Sequence, residues 1–95
     1  MGEWKPKDPE ECFALKFDFS SEMTMITGAT ITVTMKKGED TPENILDGLL
    51  QIDGAVVKQR VKDGIDNAKY SFRCVATDGE ETWVIVQDLP VKIKK

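Results

Sequence analysis

The sequence of 95 residues contains no histidine and only two cysteines. Histidine is the most common general base and metal ligand among the side chains, so its absence removes the usual starting point for acid–base catalysis and for a metal site. Cys12 and Cys74 are far apart with no third ligand nearby, a spacing that does not make a zinc site. We expect two free thiols, with Cys74 in the core. A disulfide is the alternative, but chains without an export signal rarely form one.

Long apolar runs are missing as well. No stretch approaches the ~20 residues that span a bilayer, and residues 1–11 are charged and contain proline where a secretory signal has an apolar core. The formal net charge is −4, whereas binding to nucleic acid requires a basic surface. We therefore expect a protein made in a cytoplasm, without a signal peptide, with neither a membrane nor a nucleic acid as its partner.

The acidic residues do not form a catalytic pattern. They occur in pairs at predicted turns and chain ends, where carboxylates are normally solvated: Glu10-Glu11, Glu39-Asp40 and Glu80-Glu81. The turn Asp63-Gly64-Ile65-Asp66 is too short and too poor in ligands for a calcium loop, and no glycine pattern matches a phosphate-binding loop. The sequence predicts no catalytic, cofactor-binding or metal-binding residue and no small-molecule substrate, so we do not expect an enzyme.

Turn signals, and an alternation of apolar residues at every second position, dominate the rest of the chain. Asp-Gly occurs at 47–48, 53–54, 63–64 and 78–79, and both residue types tolerate the positive φ of tight turns between antiparallel strands. Between these turns, apolar residues recur at every second position in 15–19, 31–35 and 70–76, which places each set on one face of a strand. Threonines alternate with the second set, as is typical of a partly wet outer face.

These signals predict strands near 12–19, 26–36, 49–53, 55–62, 68–77 and 81–87, with a last one near 91–94. Segment 82–86 is apolar on both faces, which predicts a central strand or one whose outer face is covered. Pro90 cannot donate to a ladder, so we expect the final strand to break there or to lie at an edge. Thr41 and Pro42 suit the cap and first position of at most one short helical turn near 42–47.

The fold class that follows is all-β. Several short strands with regular turn signals predict an immunoglobulin-like β-sandwich of about seven antiparallel strands, with a small barrel as the less favoured arrangement. The length is sufficient for one hydrophobic core, which we place in a single domain at 10–95. Residues 1–9 are predicted to form an extended N-terminal arm.

One local motif favours the sandwich. The run Asp66-Asn67-Ala68-Lys69-Tyr70 is similar to the D-x-A/G-x-Y run that opens strand F of immunoglobulin-like domains, where the tyrosine hydroxyl bonds back to the backbone at a corner. We predict such a structural corner at Tyr70; a tyrosine packed in some other β-protein is the alternative. Antibody domains place cysteine two residues later. Phe72 occupies that position here, so no intersheet disulfide is expected.

The N-terminal arm is the predicted site of protein contact. Pro6 and Pro9 keep it extended and out of any central strand. Trp4 is one of only two tryptophans, and tryptophan is enriched in binding hot spots. We predict a protein interface formed by Trp4, Lys5, Pro6 and Pro9. The alternatives are that Trp4 folds back onto its own domain or that the arm is disordered.

Segments along nearly the whole chain resemble one family of small tailed-phage and prophage structural proteins, described as fiber–tail adaptor-like. Its members open with a K-D-P-[DE]-E run, here at 7–11, continue with a strand holding D-[WF]-S, here at 18–20, and follow it with a Thr-rich strand, here at 28–34. Segments 56–64 and 68–74 are similar to the family's V-x-x-x-[VL]-x-G-G and [GA]-x-Y-x-[VLF] strands. Asp63 departs from this pattern, because the family has a glycine there.

The resemblance implies an immunoglobulin-like sandwich located in the virion of a bacteriophage or prophage. Its role would be to join tail or fiber components, without a cofactor, through contacts with other virion proteins or with further copies of itself. A second class of function remains open, namely an immunoglobulin-like recognition module that binds a host-surface polymer or a partner protein. That class predicts a cluster of exposed aromatic and polar loop residues.

Overall fold

The computed structural model describes residues 2–95 and contains seven strands and one short 3-10 turn. The strands are β1 (Gly2–Glu3), β2 (Phe13–Asp18), β3 (Gly28–Lys37), β4 (Gln51–Asp53), β5 (Val56–Val61), β6 (Lys69–Thr77) and β7 (Thr82–Pro90), and the 3-10 turn spans Pro42–Ile45. The predicted all-β class is therefore confirmed, and so is the limit of one helical turn. Within residues 2–95, no helix has the length and hydrophobicity that crossing a lipid bilayer requires.

The strands form two sheets that pack face to face. The larger has the order β1-β7-β6-β3 and the smaller has the order β2-β5-β4. In immunoglobulin-like sandwiches the strand orders B-E-D and C-F-G define the two sheets, and β2 to β7 follow the same arrangement. The predicted sandwich is confirmed, with one difference: β1 runs parallel to β7, with Gly2 opposite Gln87.

The alternating apolar positions meet in one core between the sheets. On β6 the inward side chains Tyr70, Phe72, Cys74 and Ala76 have no exposed surface. They are packed together with Val33 from β3 and with side chains of the smaller sheet, among them Leu15, Phe17, Val57 and Val61. Burying each large side chain of this kind contributes roughly 1.5–3 kcal/mol. The threonines of β3 alternate outward and are exposed, as their pattern predicts.

The Asp-Gly turns join strands in two ways. Gly54 and Gly79 adopt positive φ in the β4–β5 and β6–β7 hairpins, as expected for tight antiparallel turns. Gly64 lies instead in the connection from β5 to β6, with φ near 102°. A Cβ atom on Gly64 would lie 2.9 Å from a methyl carbon of Val91. Glycine is required there both for its backbone conformation and for the close approach of the two segments.

The C-terminal part of the chain differs from the sequence interpretation. No strand forms near 91–94; Val91 makes a single bridge with Lys7, and the seventh strand is instead β1 in the arm. Strand β7 is not broken at Pro90, which pairs with Lys69 of β6. The Pro90 carbonyl accepts a hydrogen bond from the Lys7 N–H on the opposite side of the strand. The nitrogen of Pro90 points to the same side as its carbonyl, toward the arm and away from β6. The missing N–H therefore removes no hydrogen bond from the ladder between β6 and β7.

Two further details of the interpretation were wrong. Thr41 precedes the 3-10 turn, but its side chain makes no capping hydrogen bond. Segment 82–86 is not central among the described residues 2–95, where β1 pairs with Gln87 and Asp88 of β7. Alternation describes which faces of a strand are apolar, and it carries no information about which neighbours run along its two sides.

Tyr70 lies at a corner between the sheets. Its hydroxyl accepts a hydrogen bond from the Ile65 N–H at 3.1 Å and donates to Oδ2 of Asp40 at 2.7 Å. The corner thus connects the start of β6 to the loop before it and to the segment that follows β3. Burial, together with the bond to the Asp40 carboxylate, raises the pKa of Tyr70 to about 12.

Replacing this hydroxyl tests the corner. Tyr70→Phe leaves the Ile65 N–H without its partner, and we expect a loss of about 1–3 kcal/mol in the free energy of unfolding at neutral pH. In the wild type, the folded state retains a phenol proton that the unfolded chain releases near pH 10, so this group makes stability fall as pH rises from about 10 to about 12. Urea unfolding across this range should show a shallower alkaline decline in Tyr70→Phe; an unchanged decline would contradict the assignment.

Candidate interaction surfaces

The N-terminal arm runs along the end of β7. Gly2 and Glu3 pair with Gln87 and Asp88. Further along, the Trp4 N–H donates to the Asp88 carbonyl at 2.9 Å. The arm is therefore continuous with the larger sheet over residues 2–4.

Trp4 joins the two sheets of the sandwich. Its ring lies edge-on to Phe17 of β2, with 5.3 Å between the ring centroids, and edge-on to Phe72 of β6, with 5.6 Å between the centroids. Edge-to-face aromatic pairs at this spacing contribute about 0.5–1.5 kcal/mol beyond the area that they bury. The indole thus fills the space between a phenylalanine from each sheet, and the greater part of its role is internal to the domain.

Lys7 fixes the far end of the arm. Its side chain is fully buried, and its Nζ donates to the backbone carbonyls of Asp63 at 2.6 Å and Asp8 at 2.9 Å. Burial lowers the pKa of this amine from its ordinary value. Carbonyl oxygens supply the hydrogen bonds that a buried ammonium needs, so Lys7 ties the arm to the turn that follows β5.

Three of the four predicted interface residues come together. Trp4, Lys5 and Pro6 line one side of a groove of about 420 Å³, and the first residues of β2 line the other. Lys5 and Pro6 are exposed, and Trp4 is half-buried. Pro9 lies outside this groove. The arm therefore presents a solvent-facing side made of Lys5 and Pro6, while its tryptophan is committed to the core.

A second surface is the part of β7 that β1 leaves uncovered, residues 82–86, which we call the β7 edge. Trp83 and Val84 are 42% and 43% exposed, which is unusual for adjacent large apolar side chains. Because Asp88 and Pro90 direct their carbonyls toward the arm, the alternation of an antiparallel strand directs the backbone groups of Thr82, Val84 and Val86 to the same side. Among residues 2–95, no strand pairs with that side of the β7 edge.

Two other sheet edges, β3 and β4, carry protective features. Strand β3 ends in Lys36 and Lys37, with a register irregularity between Met35 and Lys37. Strand β4 has only three residues. Lysines, bulges and short lengths are the usual means by which sheet edges avoid pairing with other chains. The β7 edge has none of them, since residues 82–87 carry no charge.

The remaining features are a second groove and two thiols. A groove of about 400 Å³ beside the Tyr70 corner is lined by Asp40, Glu43 and Asp63, among others. Within residues 2–95, however, no group of three or more acidic, cysteine or histidine side chains could hold a metal ion. Both cysteines are free thiols, Cys12 exposed and Cys74 buried. Burial raises the pKa of Cys74 to about 12, so this thiol stays protonated and unreactive at neutral pH.

Comparisons of this chain with protein-family models, curated proteins and solved structures find no match. Function must therefore be inferred from the chain's own geometry. The β7 edge is the surface that sequence reasoning missed, because it interpreted the same apolar residues as a covered strand. No signal in the sequence distinguishes the two cases, because a central strand and an edge strand can share the same apolar pattern.

Removing the Trp4 ring tests its role inside the domain. We expect Trp4→Ala to lower the free energy of unfolding by about 3 kcal/mol, since truncating a large aromatic in a core leaves a cavity. Trp83→Ala is the matched control, and it should cost less than about 1 kcal/mol because its ring is exposed at an edge. Urea unfolding at low protein concentration gives both values. If Trp4→Ala instead has the same free energy of unfolding as the wild type but no longer assembles, Trp4 belongs to an interface.

Proposed function

We propose that this protein is a non-enzymatic structural component of a phage or prophage virion, acting through protein–protein assembly as a tail or fiber–tail adaptor. The observation that carries the assembly role is the uncharged β7 edge, where Trp83 and Val84 are partly exposed beside backbone groups that no strand of residues 2–95 pairs with. The virion role is supported by the resemblance of segments 7–11, 18–20 and 28–34 to the adaptor-like family.

The shape of the domain supports an assembly function. A sheet edge with free N–H and C=O groups can receive an extended segment of another chain through main-chain hydrogen bonds, with side chains on both faces giving specificity. The groove beside Lys5 and Pro6 provides a second, smaller place of contact. The dense core around Trp4, Phe17 and Phe72 makes the domain a stiff unit that can transmit a fixed geometry to its neighbours.

The recognition module is less well supported. Binding of a glycan generally uses exposed aromatic rings, but of the aromatic side chains in residues 2–95 only Trp83 is exposed. It lies on a strand edge and not in a loop cluster. The other exposed large apolar residues, such as Leu49 and Met25, are aliphatic and lie apart from it in the chain.

The test is to look for the protein in particles. We expect quantitative mass spectrometry of virions, purified from an induced strain that carries the gene, to find the chain in a fixed ratio to the tail proteins. Deleting the gene should leave particles without tails or fibers, and the wild-type gene supplied on a plasmid should restore them. A strain cured of the prophage is the control.

Two results would contradict this proposal. One is that this protein is abundant in the cell lysate but absent from purified particles, and that deleting its gene leaves plaque formation unchanged. The other is binding of the isolated monomer to defined surface glycans on an array, which would favour the recognition module.

A further inference from the structure

We infer that the groove between the N-terminal arm and strand β2 receives an extended acidic segment of a partner polypeptide, which pairs antiparallel with the free edge of β2. In this segment, apolar side chains alternate with carboxylates. The inference rests on the proposed assembly function and deepens it by naming the chemistry of the partner. We call the site the β2 groove, and its two walls are formed by Trp4, Lys5 and Pro6 of the arm and by Ala14, Leu15 and Lys16 of β2.

Strand β2 lies at the edge of the smaller sheet. It pairs with β5 on one side, and among residues 2–95 no strand pairs with its other side. In immunoglobulin-like sandwiches of the constant type, strand A occupies this position beside strand B. Here the arm precedes β2 as strand A would, but it pairs with β7 of the other sheet. The position that would complete the smaller sheet is therefore vacant within the described residues, where β2 faces residues 4–6.

The backbone groups of Ala14 and Lys16 point into this position. Arg60 lies opposite Ala14 on β5, but its carbonyl accepts a hydrogen bond from the Asp47 N–H at 3.0 Å, on the far side of β5. Ala14 and Arg60 are therefore a non-hydrogen-bonded pair, and the backbone groups of such residues face away from each other. Alternation along β2 gives Lys16 the same direction as Ala14. Each of the two residues thus offers an N–H and a carbonyl to an added strand.

The inner face of the β2 groove is apolar. Leu15 is buried, and Trp4 and Phe13 are half-buried. Side chains of an added strand that point inward would lie beside these three residues and extend the core past the edge of the sheet. Because side chains alternate between the two faces of a strand, this face selects a segment with an apolar residue at every second position.

The rim of the β2 groove is basic. Lys5, Lys16 and Lys94 line it together with one carboxylate, Glu11. That carboxylate is already engaged, since it accepts a hydrogen bond from the Asp8 N–H at 2.7 Å and pairs with Lys94 at 3.1 Å. Within residues 2–95, neither Lys5 nor Lys16 forms an ion pair. A chain of net charge −4 thus has a local excess of positive charge beside a free strand edge.

This charge determines the outward residues of the partner. Lysine on an edge strand ordinarily discourages pairing with other chains. A carboxylate opposite Lys16 would turn the same charge into an attraction, since oppositely charged cross-strand neighbours are favourable and like charges are not. The outward positions of the added strand are therefore best filled by aspartate or glutamate.

The first test is the binding of a synthetic peptide to the full chain. The probe alternates glutamate with valine over about seven residues, an ordinary strand length, and its ends are acetylated and amidated. We expect isothermal titration calorimetry to show saturable binding, and the same peptide with lysine in place of glutamate should not bind.

A pair of charge-reversed variants places this binding at β2. Lys16→Glu should weaken it by at least about tenfold, because carboxylates would then face each other across the added pair. Arg73→Glu makes the same change of charge at an exposed position of β6, in the other sheet, and should bind like the wild type. Urea unfolding of both variants establishes that they are folded.

Amide hydrogen exchange of the wild-type protein tests the pairing itself. Without peptide, the amides of Ala14 and Lys16 should exchange faster than those of Leu15 and Phe17, whose N–H groups point to β5. Saturating peptide should slow exchange at Ala14 and Lys16 by at least about tenfold. A peptide methylated on its glutamate nitrogens should not bind, since in an antiparallel pair the glutamates lie opposite Ala14 and Lys16 and their N–H groups supply the hydrogen bonds.

Four results would each overturn the inference. The acidic peptide shows no binding up to about 1 mM; Lys16→Glu or the lysine peptide binds equally well; bound peptide leaves the exchange of Ala14 and Lys16 unchanged; or these amides are already protected in a free protein of twice the monomer mass, so that a second copy fills the edge. A chain found in virions that fails these tests would reject the acidic segment alone, and a chain that passes them but is absent from virions would reject the virion role alone.

Discussion

The contact of Trp4 with Phe17 and Phe72 is the interaction on which the rest of the structure depends. In antibody domains a tryptophan packs on a disulfide that joins the two sheets. Here a phenylalanine from each sheet takes the place of the two sulfurs, and the indole enters from the arm and not from a central strand. No disulfide joins the sheets, so the packing of the arm's indole against both phenylalanines completes the core.

This dependence determines what the arm can do. Residues 2–4 are bound to the end of β7, and Lys7 is buried against the turn after β5. Because the arm is fixed at both points, the parts of it that a partner could reach are the exposed Lys5 and Pro6 and the groove they line. Within residues 2–95, the arm pairs with β7 at Gln87 and Asp88, near the end of that strand.

The sequence was sufficient to predict local features, such as which side chains of a strand point inward. It was not sufficient to predict which strands pair with each other. A period of two identified the inward residues of β2, β3 and β6, since burial on one face constrains every second side chain. The Asp66–Tyr70 run indicated a corner because its chemistry is local. Strand β1 has only two residues and no pattern of its own, and its parallel pairing depends on the position of β7. The residues of segment 82–86 are compatible with either a central strand or an edge strand, so the sequence did not predict their exposure.

An exposed apolar edge is a hazard unless pairing along it terminates. Strand β3 lies at the opposite edge of the larger sheet, and it carries Lys36 and Lys37 and an irregular register at its end. Charges and bulges of this type oppose continued addition of strands. The two sides of the larger sheet therefore differ, since residues 82–87 of β7 are uncharged whereas the end of β3 opposes pairing.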